Sequence, residues 1–271
     1  MSALQVIGDP VLHSLSPRLH GAMLRELGLP VSYTAHTVRR GELPDYLRWA
    51  EECGVTGFNA TMPHKEALLP LLTGVDGDAA LFGAVNTVCR RDGGWWGFNT
   101  DGAGCLAALE QVGLWPVRQV LLMGAGGASR AVGRKLAACG AEVTVCNRTL
   151  ERALELCSGQ ARMTAAAWER LPELCGGTQL LINATSLGMT GCGQFENLSF
   201  LERLPAAAGV FDLIYFPSRT ALLERAAVLG HPCSNGLPML IYQAIFALEH
   251  FLNRPLDRAR MAAAIERELA R

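Results

Sequence analysis

The stretch Val120-Leu-Leu-Met-Gly-Ala-Gly-Gly-Ala-Ser-Arg-Ala-Val132 constrains this chain more than any other. A short apolar run, Val120 to Met123, breaks into Gly124, Gly126 and Gly127, and helical spacing then resumes from Ser129 to Cys139. The order strand, tight turn, helix has a chemical meaning. Glycines without a Cβ let the main chain approach a pyrophosphate, and the free N–H groups at a helix start point at it. The first two glycines fit the G-x-G-x-x-G pattern, whereas the sixth position is Ser129. Taken alone, the turn is either a phosphate cradle or a plain strand-to-helix connection.

Glu142-Val-Thr-Val-Cys146 follows the helix as a second strand, completing a βαβ unit of about 30 residues. An NAD-binding unit ends this second strand on Asp or Glu, which binds the ribose 2′-hydroxyl, whereas a 2′-phosphate needs a cation there. The place is held by Asn147, with Arg148 next and Arg152 one helical turn later. The pattern favours NADP over NAD; the alternative is that both arginines are solvated residues of a helix start.

The chain has 271 residues, 50% of them hydrophobic, enough for one large or two medium domains. A net charge of −1 with scattered arginines gives no nucleic-acid footprint. Nine cysteines form no C-x-x-C pair and no zinc-spaced cluster, so reduced core thiols and no metal are expected. The start, Met1-Ser-Ala-Leu-Gln-Val, carries no basic segment ahead of an apolar one, and Leu237 to Leu248 is too short to span a bilayer. The expectation is a soluble, cytoplasmic protein, monomer or homodimer, with a small-molecule substrate and neither nucleic acid nor membrane as partner.

Along the chain, Leu4–Ile7, Val31–Val38 and Val55–Ala60 read as strands, and Glu42–Cys53 reads as a helix. Another helix begins at Ser16-Pro17, with Ser16 as N-cap, and stops at Gly28. Pro63 is expected to start a short helix to about Leu72, with Lys65 in its first turn against the helix dipole. Gly83–Cys89 and Trp95–Phe98 read as strands, Gly102–Val112 as a helix, Leu180–Ile182 and Val210–Ile214 as short strands ending in polar residues. Two helices, about Pro238–Leu252 and Leu256–Ala270, close the chain.

Several segments are polar where a core would be apolar: Ser14-Leu-Ser-Pro17, Asn59-Ala-Thr61, Lys65, Asn86-Thr87 and Asn99-Thr-Asp101. Short neutral donors with one cation and one anion suit a polyhydroxylated, carboxylate-bearing small molecule. Each alone has an ordinary explanation: Ser16 as N-cap, Asn59 and Asn86 as turn residues, Asp101 as cap of the next helix. In this order, however, they resemble the shikimate dehydrogenase family. Its S-x-S-P…H is Ser14 to Pro17 with His20, its G-x-N-V-T-x-P-x-K is Gly57 to Lys65, and its G-A-V-N-T is Gly83 to Thr87. Its G-x-N-T-D is Gly97 to Asp101, its G-A-G-G-A is Gly124 to Ala128, and its N-R-T is Asn147 to Thr149. Its N-A-T-x-x-G-M is Asn183 to Met189, its Y-x-P is Tyr215 to Pro217, and its G-x-x-M-L-x-x-Q is Gly236 to Gln243. The likeness covers essentially the whole chain.

The resemblance implies a two-domain α/β fold: a substrate-binding catalytic domain of residues 1–101 plus 237–271, and a Rossmann-like NADP-binding domain of residues 102–236. It implies reversible NADPH-dependent reduction of 3-dehydroshikimate to shikimate, a step of aromatic amino acid and chorismate biosynthesis. Lys65 and Asp101 would be catalytic, Lys65 acting as proton relay or as electrostatic clamp on the alkoxide that hydride addition creates. Ser14, Ser16 and Thr61 would bind the substrate carboxylate with Asn59 in support. Asn86, Asp101 and Gln243 would hold the ring hydroxyls, and Tyr215 would also touch substrate. Gly124, Ala125, Gly126, Gly127, Ala128, Asn147, Arg148, Thr149, Arg152, Met189 and Gly236 would bind the cofactor.

The chain departs from the family at Ala60, where Val is usual, at Gly21, where Asn is common, and at Phe216, where Asn or Thr often precedes the proline. Phe216 adjoins the expected site and bears on substrate range. A quinate or aminoshikimate dehydrogenase is the nearest rival; Ser16 in place of Thr, and Asn147-Arg148 in place of an acidic residue, favour shikimate. A regulator that kept NADP binding and lost catalysis is the rival from another class, opposed by the retained Lys65, Asp101 and Gln243.

Overall fold

The structure is a computed structural model that describes residues 3–271, so the first two residues of the expected substrate domain, and of the N-terminal reading, lie outside the described residues. The chain divides into two compact units, Met1–Gly104 with Ile241–Arg271, and Cys105–Leu240.

The first unit contains β1 (Ala3–Gly8), α1 (Ser16–Glu26), β2 (Ser32–Thr37), α2 (Leu43–Glu52) and β3 (Val55–Ala60). It continues with β4 (Gly74–Val75), α3 (Gly77–Phe82), β5 (Thr87–Arg91), β6 (Gly94–Phe98) and the start of α4 (Asp101–Gln111). Its six strands run in the order β2-β1-β3-β5-β6-β4. The first three are mutually parallel and β5 is antiparallel to both β3 and β6. The register sets Asn59 opposite Thr87, and Thr87 opposite Phe98. The antiparallel reversal therefore brings the end of β3, the start of β5 and the end of β6 to one edge. Phe58, Tyr46 and Trp95 anchor the apolar layer on one side, with Phe58 edge-on to both other rings. Burying each such side chain contributes about 1.5–3 kcal/mol.

Three expectations for this unit need correction. Ser16 is not the N-cap of α1: Leu15 is already helical (φ −75°, ψ −12°), Ser14 Oγ accepts from the Ser16 N–H at 3.2 Å, and Ser16 is the first helical residue. That leaves its hydroxyl free of capping duty. No α-helix runs from Pro63 to Leu72, only turns and a 3-10 segment at Leu69–Leu71. The Lys65 carbonyl, which would accept from Leu69 in a helix, accepts instead from Val85 N–H at 2.8 Å, while Leu69 N–H turns to Glu66. Lys65 consequently opposes no helix dipole. Gly83–Asn86 is not strand either, because Gly83 (φ +63°) terminates α3, a helix too short to show a period, and β5 begins at Thr87.

The second unit holds the rest of α4, then β7 (Gln119–Met123), α5 (Gly127–Ala138), β8 (Glu142–Asn147), α6 (Leu150–Cys157) and β9 (Met163–Ala167). It closes with α7 (Leu171–Leu174), β10 (Leu180–Asn183), β11 (Gly209–Asp212), α8 (Ala221–Val228) and β12 (Cys233–Ser234). All six strands are parallel, in the order β12-β11-β10-β7-β8-β9. This is the doubly wound dinucleotide-binding order, whose ligand crevice opens at the carboxyl ends of the two central strands, here β7 and β10. The helices α9 (Leu237–Leu252) and α10 (Arg258–Leu269) complete the chain.

All nine cysteines are free. Among the described residues no helix is long and apolar enough to cross a membrane, and no cluster of three His, Cys, Asp or Glu could hold a metal.

Candidate functional site

In the first unit the polar residues meet at the sheet edge where β3, β5 and β6 converge. Lys65 Nζ donates to Asp101 Oδ2 at 2.5 Å. The other carboxylate oxygen, Oδ1, accepts from Asn86 Nδ2 at 2.8 Å. Asn86 is fixed in turn, since its Oδ1 accepts from the Thr100 N–H at 2.9 Å and from the Thr87 hydroxyl at 2.9 Å. Asn59 Nδ2 donates to the Asn86 carbonyl (3.1 Å) and to Thr87 Oγ1 (3.0 Å). Asn99 joins its segment to the preceding turn by donating to the Ala84 carbonyl at 2.8 Å and accepting from Asp101 N–H at 3.0 Å. Asn59, Asn86, Thr87, Asn99, Thr100 and Asp101 are all buried, so the network is interior and satisfied, the condition under which buried polar groups rigidify a site. Lys65 keeps 27% of its side-chain surface open to solvent, against 11% for Asp101. The cation is therefore the more exposed member of the pair.

Thr61 follows β3 directly and is held at the end of β1, where its N–H donates to the Ile7 carbonyl at 2.9 Å. A Cβ on Gly8 would lie 2.4 Å from the Thr61 methyl, so only glycine lets these segments close up. Ser14 and Ser16 lie together at the start of α1, their hydroxyls 3.1 Å apart. Gln243 sits on α9 where that helix nearly touches α4: a Cβ on Gly104 would meet the Gln243 backbone nitrogen at 2.8 Å.

In the second unit Gly124 follows β7 with φ +105°, a conformation L side chains rarely adopt, and an added Cβ would lie 2.9 Å from the Ala184 carbonyl at the end of β10. Both central strands thus end on one close approach. Gly126, Gly127 and Ala128 are exposed at the N-terminus of the 12-residue α5, and Ala125 is half-buried. The helix start is steadied by buried Ser129, whose Oγ accepts from Gly126 N–H at 3.3 Å. After β8, Asn147 Nδ2 donates to the Thr149 carbonyl at 2.8 Å and shapes the turn carrying Arg148, Thr149 and Arg152, all exposed. Among the described residues neither Arg148 nor Arg152 is in an ion pair, and Arg148 lines a cavity of about 580 Å³ with Thr185 and Ser186. Met189, Tyr215 and Gly236 lie on the loops after β10, β11 and β12, apart from the glycine turn in sequence. Gly236 is fixed by contact, since a Cβ there would fall 2.0 Å from the Leu213 carbonyl.

Two groups that organise these regions escaped the sequence reading. Tyr33, on β2, donates from its hydroxyl to Asn59 Oδ1 at 2.6 Å; a tyrosine in an alternating strand carries no mark of such a role. Asp212, at the end of β11, is fully buried and accepts from Asn183 Nδ2 (2.9 Å), Ile214 N–H (3.1 Å) and the Thr220 hydroxyl (2.6 Å). Burial pushes its carboxyl upward while those three donors pull it back. The signal that could have found it was an acidic residue closing an apolar strand, Val210-Phe-Asp212.

Comparison with known proteins agrees with this architecture. Residues 6–88 match the family described as the shikimate dehydrogenase substrate binding domain, and residues 107–191 match the shikimate/quinate 5-dehydrogenase family. The shikimate dehydrogenase (NADP(+)) of Thermosynechococcus vestitus is 40% identical, covering 98% of this chain and 95% of its own. A crystal structure of a shikimate dehydrogenase in complex with NADP+ superposes with a TM-score of 0.90 at 33% identity, covering 100% of this chain and 96% of that one. The enzyme from Thermus thermophilus, in complex with NADP(H) and shikimate, superposes at 0.86 with 37% identity, over 99% and 100% of the two chains. By sequence along nearly its whole length, and by the fold of both its units, the chain belongs to the shikimate dehydrogenase family.

Proposed function

We propose that the protein catalyses the reversible, NADPH-dependent reduction of 3-dehydroshikimate to shikimate, the first unit binding substrate and the second NADP. The observation that carries this reading is the solvent-reachable Lys65 ammonium locked to Asp101 at 2.5 Å, with the carboxylate held from its other side by buried Asn86. NADPH, when bound, supplies the hydride. Reduction turns the ketone oxygen into an alkoxide, and the Lys65 ammonium meets that charge and neutralises it with a proton. Asp101 keeps Nζ in place. In the reverse direction Lys65 takes the hydroxyl proton as hydride leaves.

The remaining assignments follow the chemistry of each group. Ser14, Ser16 and Thr61 offer hydroxyls to the substrate carboxylate, supported by Asn59. Asn86, Asp101 and Gln243 hold ring hydroxyls, and Tyr215 adds a contact. Fixed polar groups of this kind discriminate hydroxyl patterns, because a missing partner leaves a buried polar group unpaired. The turn at Gly124, Ala125, Gly126, Gly127 and Ala128 receives the pyrophosphate. The exposed Arg148 and Arg152 take the 2′-phosphate with Asn147 and Thr149 beside them, and Met189 and Gly236 add further contacts to the cofactor.

The test is the rise in reduced-nicotinamide absorbance when shikimate and NADP are added to the protein. Turnover is expected. NADP binding without turnover would favour a non-catalytic regulator.

A further inference from the structure

The turn that carries Lys65 is not helical, so bonds other than a helix ladder hold it still. Thr61, the first residue after β3, donates its N–H to the Ile7 carbonyl at 2.9 Å, and the Met62 carbonyl accepts from Asp9 N–H at 3.0 Å. Both bonds lay the turn over the carboxyl end of β1. Gly8 lets it lie there, because a Cβ would fall 2.4 Å from the Thr61 methyl and 3.0 Å from the Met62 carbonyl. On the far side of the turn Val85 N–H holds the Lys65 carbonyl at 2.8 Å. Between these anchors stands His64, and its long-range bond is made by its side chain.

His64 Nε2 lies 2.6 Å from the carbonyl of Val38, the residue that follows β2 by one. In the order β2-β1-β3 the strands before these two residues are not neighbours, so the imidazole spans the end of β1 to reach the farther strand. Val38 is itself tied to β1, donating from its N–H to the Gly8 carbonyl at 3.2 Å. The ends of three parallel strands are thereby closed into a ring of contacts: Val38 to Gly8, Asp9 to Met62, and His64 back to Val38. A main-chain carbonyl can only accept, so Nε2 must carry the ring proton. His64 and Val38 are 1% and 2% exposed, and a carbonyl buried that deeply needs its donor. The Nε2 proton is therefore committed, and the proton that meets substrate remains that of Lys65, next in sequence.

We propose that His64 is a positioning residue for the chemical step: by bridging the turn after β3 to the end of β2, it fixes the main chain from which Lys65 projects and so sets where Lys65 Nζ meets the alkoxide. The inference rests on Lys65 as proton donor in the shikimate reading. Asp101 restrains the tip of the lysine through the 2.5 Å bond, whereas His64 restrains its root. Both ends need holding, because the lysine stem is flexible and a misplacement of about 1 Å is enough to cost up to about 10²-fold in rate.

His64→Leu fills the buried position with apolar atoms and cannot donate, whereas His64→Gln offers an amide N–H in place of Nε2–H. His64→Leu should lower kcat by roughly 10–100-fold, with KM for shikimate and KM for NADP each within about threefold of wild type. His64→Gln should recover kcat to within about threefold. In a Lys65→Ala background, His64→Leu should cost less than about threefold in residual turnover, because no ammonium is left to misplace. Melting curves are read alongside and should stay cooperative. The proposal is overturned by an unchanged kcat in His64→Leu, by a loss that falls on KM instead, by no recovery in His64→Gln, by the full loss repeated without Lys65, or by loss of the cooperative melt, which would make the bond a requirement of the fold. Wild-type turnover with shikimate and NADP separates these failures from failure of the underlying reading, which would show as no wild-type turnover.

Discussion

The polar edge of the first unit and the glycine turn of the second are built by opposite means. At the first, side chains do the work, and they are buried, mutually hydrogen-bonded and set in one orientation by two backbone groups, Asn86 O and Thr100 N–H. At the second, the main chain does it: Gly124 in a left-handed conformation, exposed Gly126 and Gly127, and beside them the exposed Arg148 and Arg152. The difference suits the two ligands proposed for them. Discriminating ring hydroxyls requires donors and acceptors fixed before the substrate arrives, whereas a pyrophosphate is recognised by charge and close backbone approach. The first region should therefore be sensitive to loss of single side-chain atoms, and the second to the gain of a single Cβ or loss of a cation.

The largest expected effect lies in the first region. Lys65→Ala should lower turnover by roughly 10²–10⁴-fold while the melting transition and NADP affinity stay near wild type; near-normal turnover would remove Lys65 from the mechanism. Next is Gly124→Ala, which places a Cβ 2.9 Å from the Ala184 carbonyl at φ +105°. It should lower stability by about 2–4 kcal/mol and weaken NADP binding with little change in shikimate affinity, read by denaturant melts and calorimetric titration. Equal losses for both ligands would erase the contrast drawn between the regions. Arg148→Ala should shrink the NADP-to-NAD preference in kcat/KM by one to two orders of magnitude, as expected for a charge-assisted bond of about 1.5–3 kcal/mol. An unchanged ratio would mean the 2′-phosphate lies elsewhere.

The smallest effect separates the regions by pH. Burial lowers the pKa of His20 to about 3 and of His250 to about 4, both in the first unit. An unfolded histidine titrates near 6.5, so between about pH 6.5 and 4 the unfolded chain binds protons that the native state refuses, and stability falls as pH falls. Asp212, in the second unit, is shifted upward by burial, so the native state takes its proton more readily than the unfolded chain and the sign is reversed. Melts at pH 7 and pH 5 should differ by about 2 kcal/mol from His20 alone, and His20→Phe, which keeps a ring against Tyr33, should flatten the dependence. A stability unchanged between these pH values in wild type would contradict the assignment.

The second unit's central βαβ was legible because its signals are local: an apolar run, glycines at the turn and a second run one helix later all lie within one stretch of chain. The ordering Asn59, Lys65, Asn86, Asp101 was legible as a set of motifs, but the geometry joining them was not, since the antiparallel β5 that carries Thr87 to Asn59 is a long-range pairing. The failed helix after Pro63 shows the same limit. Local chemistry favoured a helix start, and one tertiary hydrogen bond, from Val85 N–H to the Lys65 carbonyl, took the acceptor it needed. Ser16 failed for a local reason, because Ser14, two residues earlier, reached its N–H first. Tyr33 and Asp212 act through partners 26 and 29 residues away, on other strands, and no spacing rule reaches them.

Initial rates of nicotinamide absorbance change with shikimate and with quinate, each paired with NADP and with NAD, decide between the enzyme and its rivals. Shikimate with NADP should give the highest kcat/KM, with exchange of either ligand costing at least about tenfold. A preference for quinate with NAD, or no turnover with any pair despite measurable NADP binding, would contradict it.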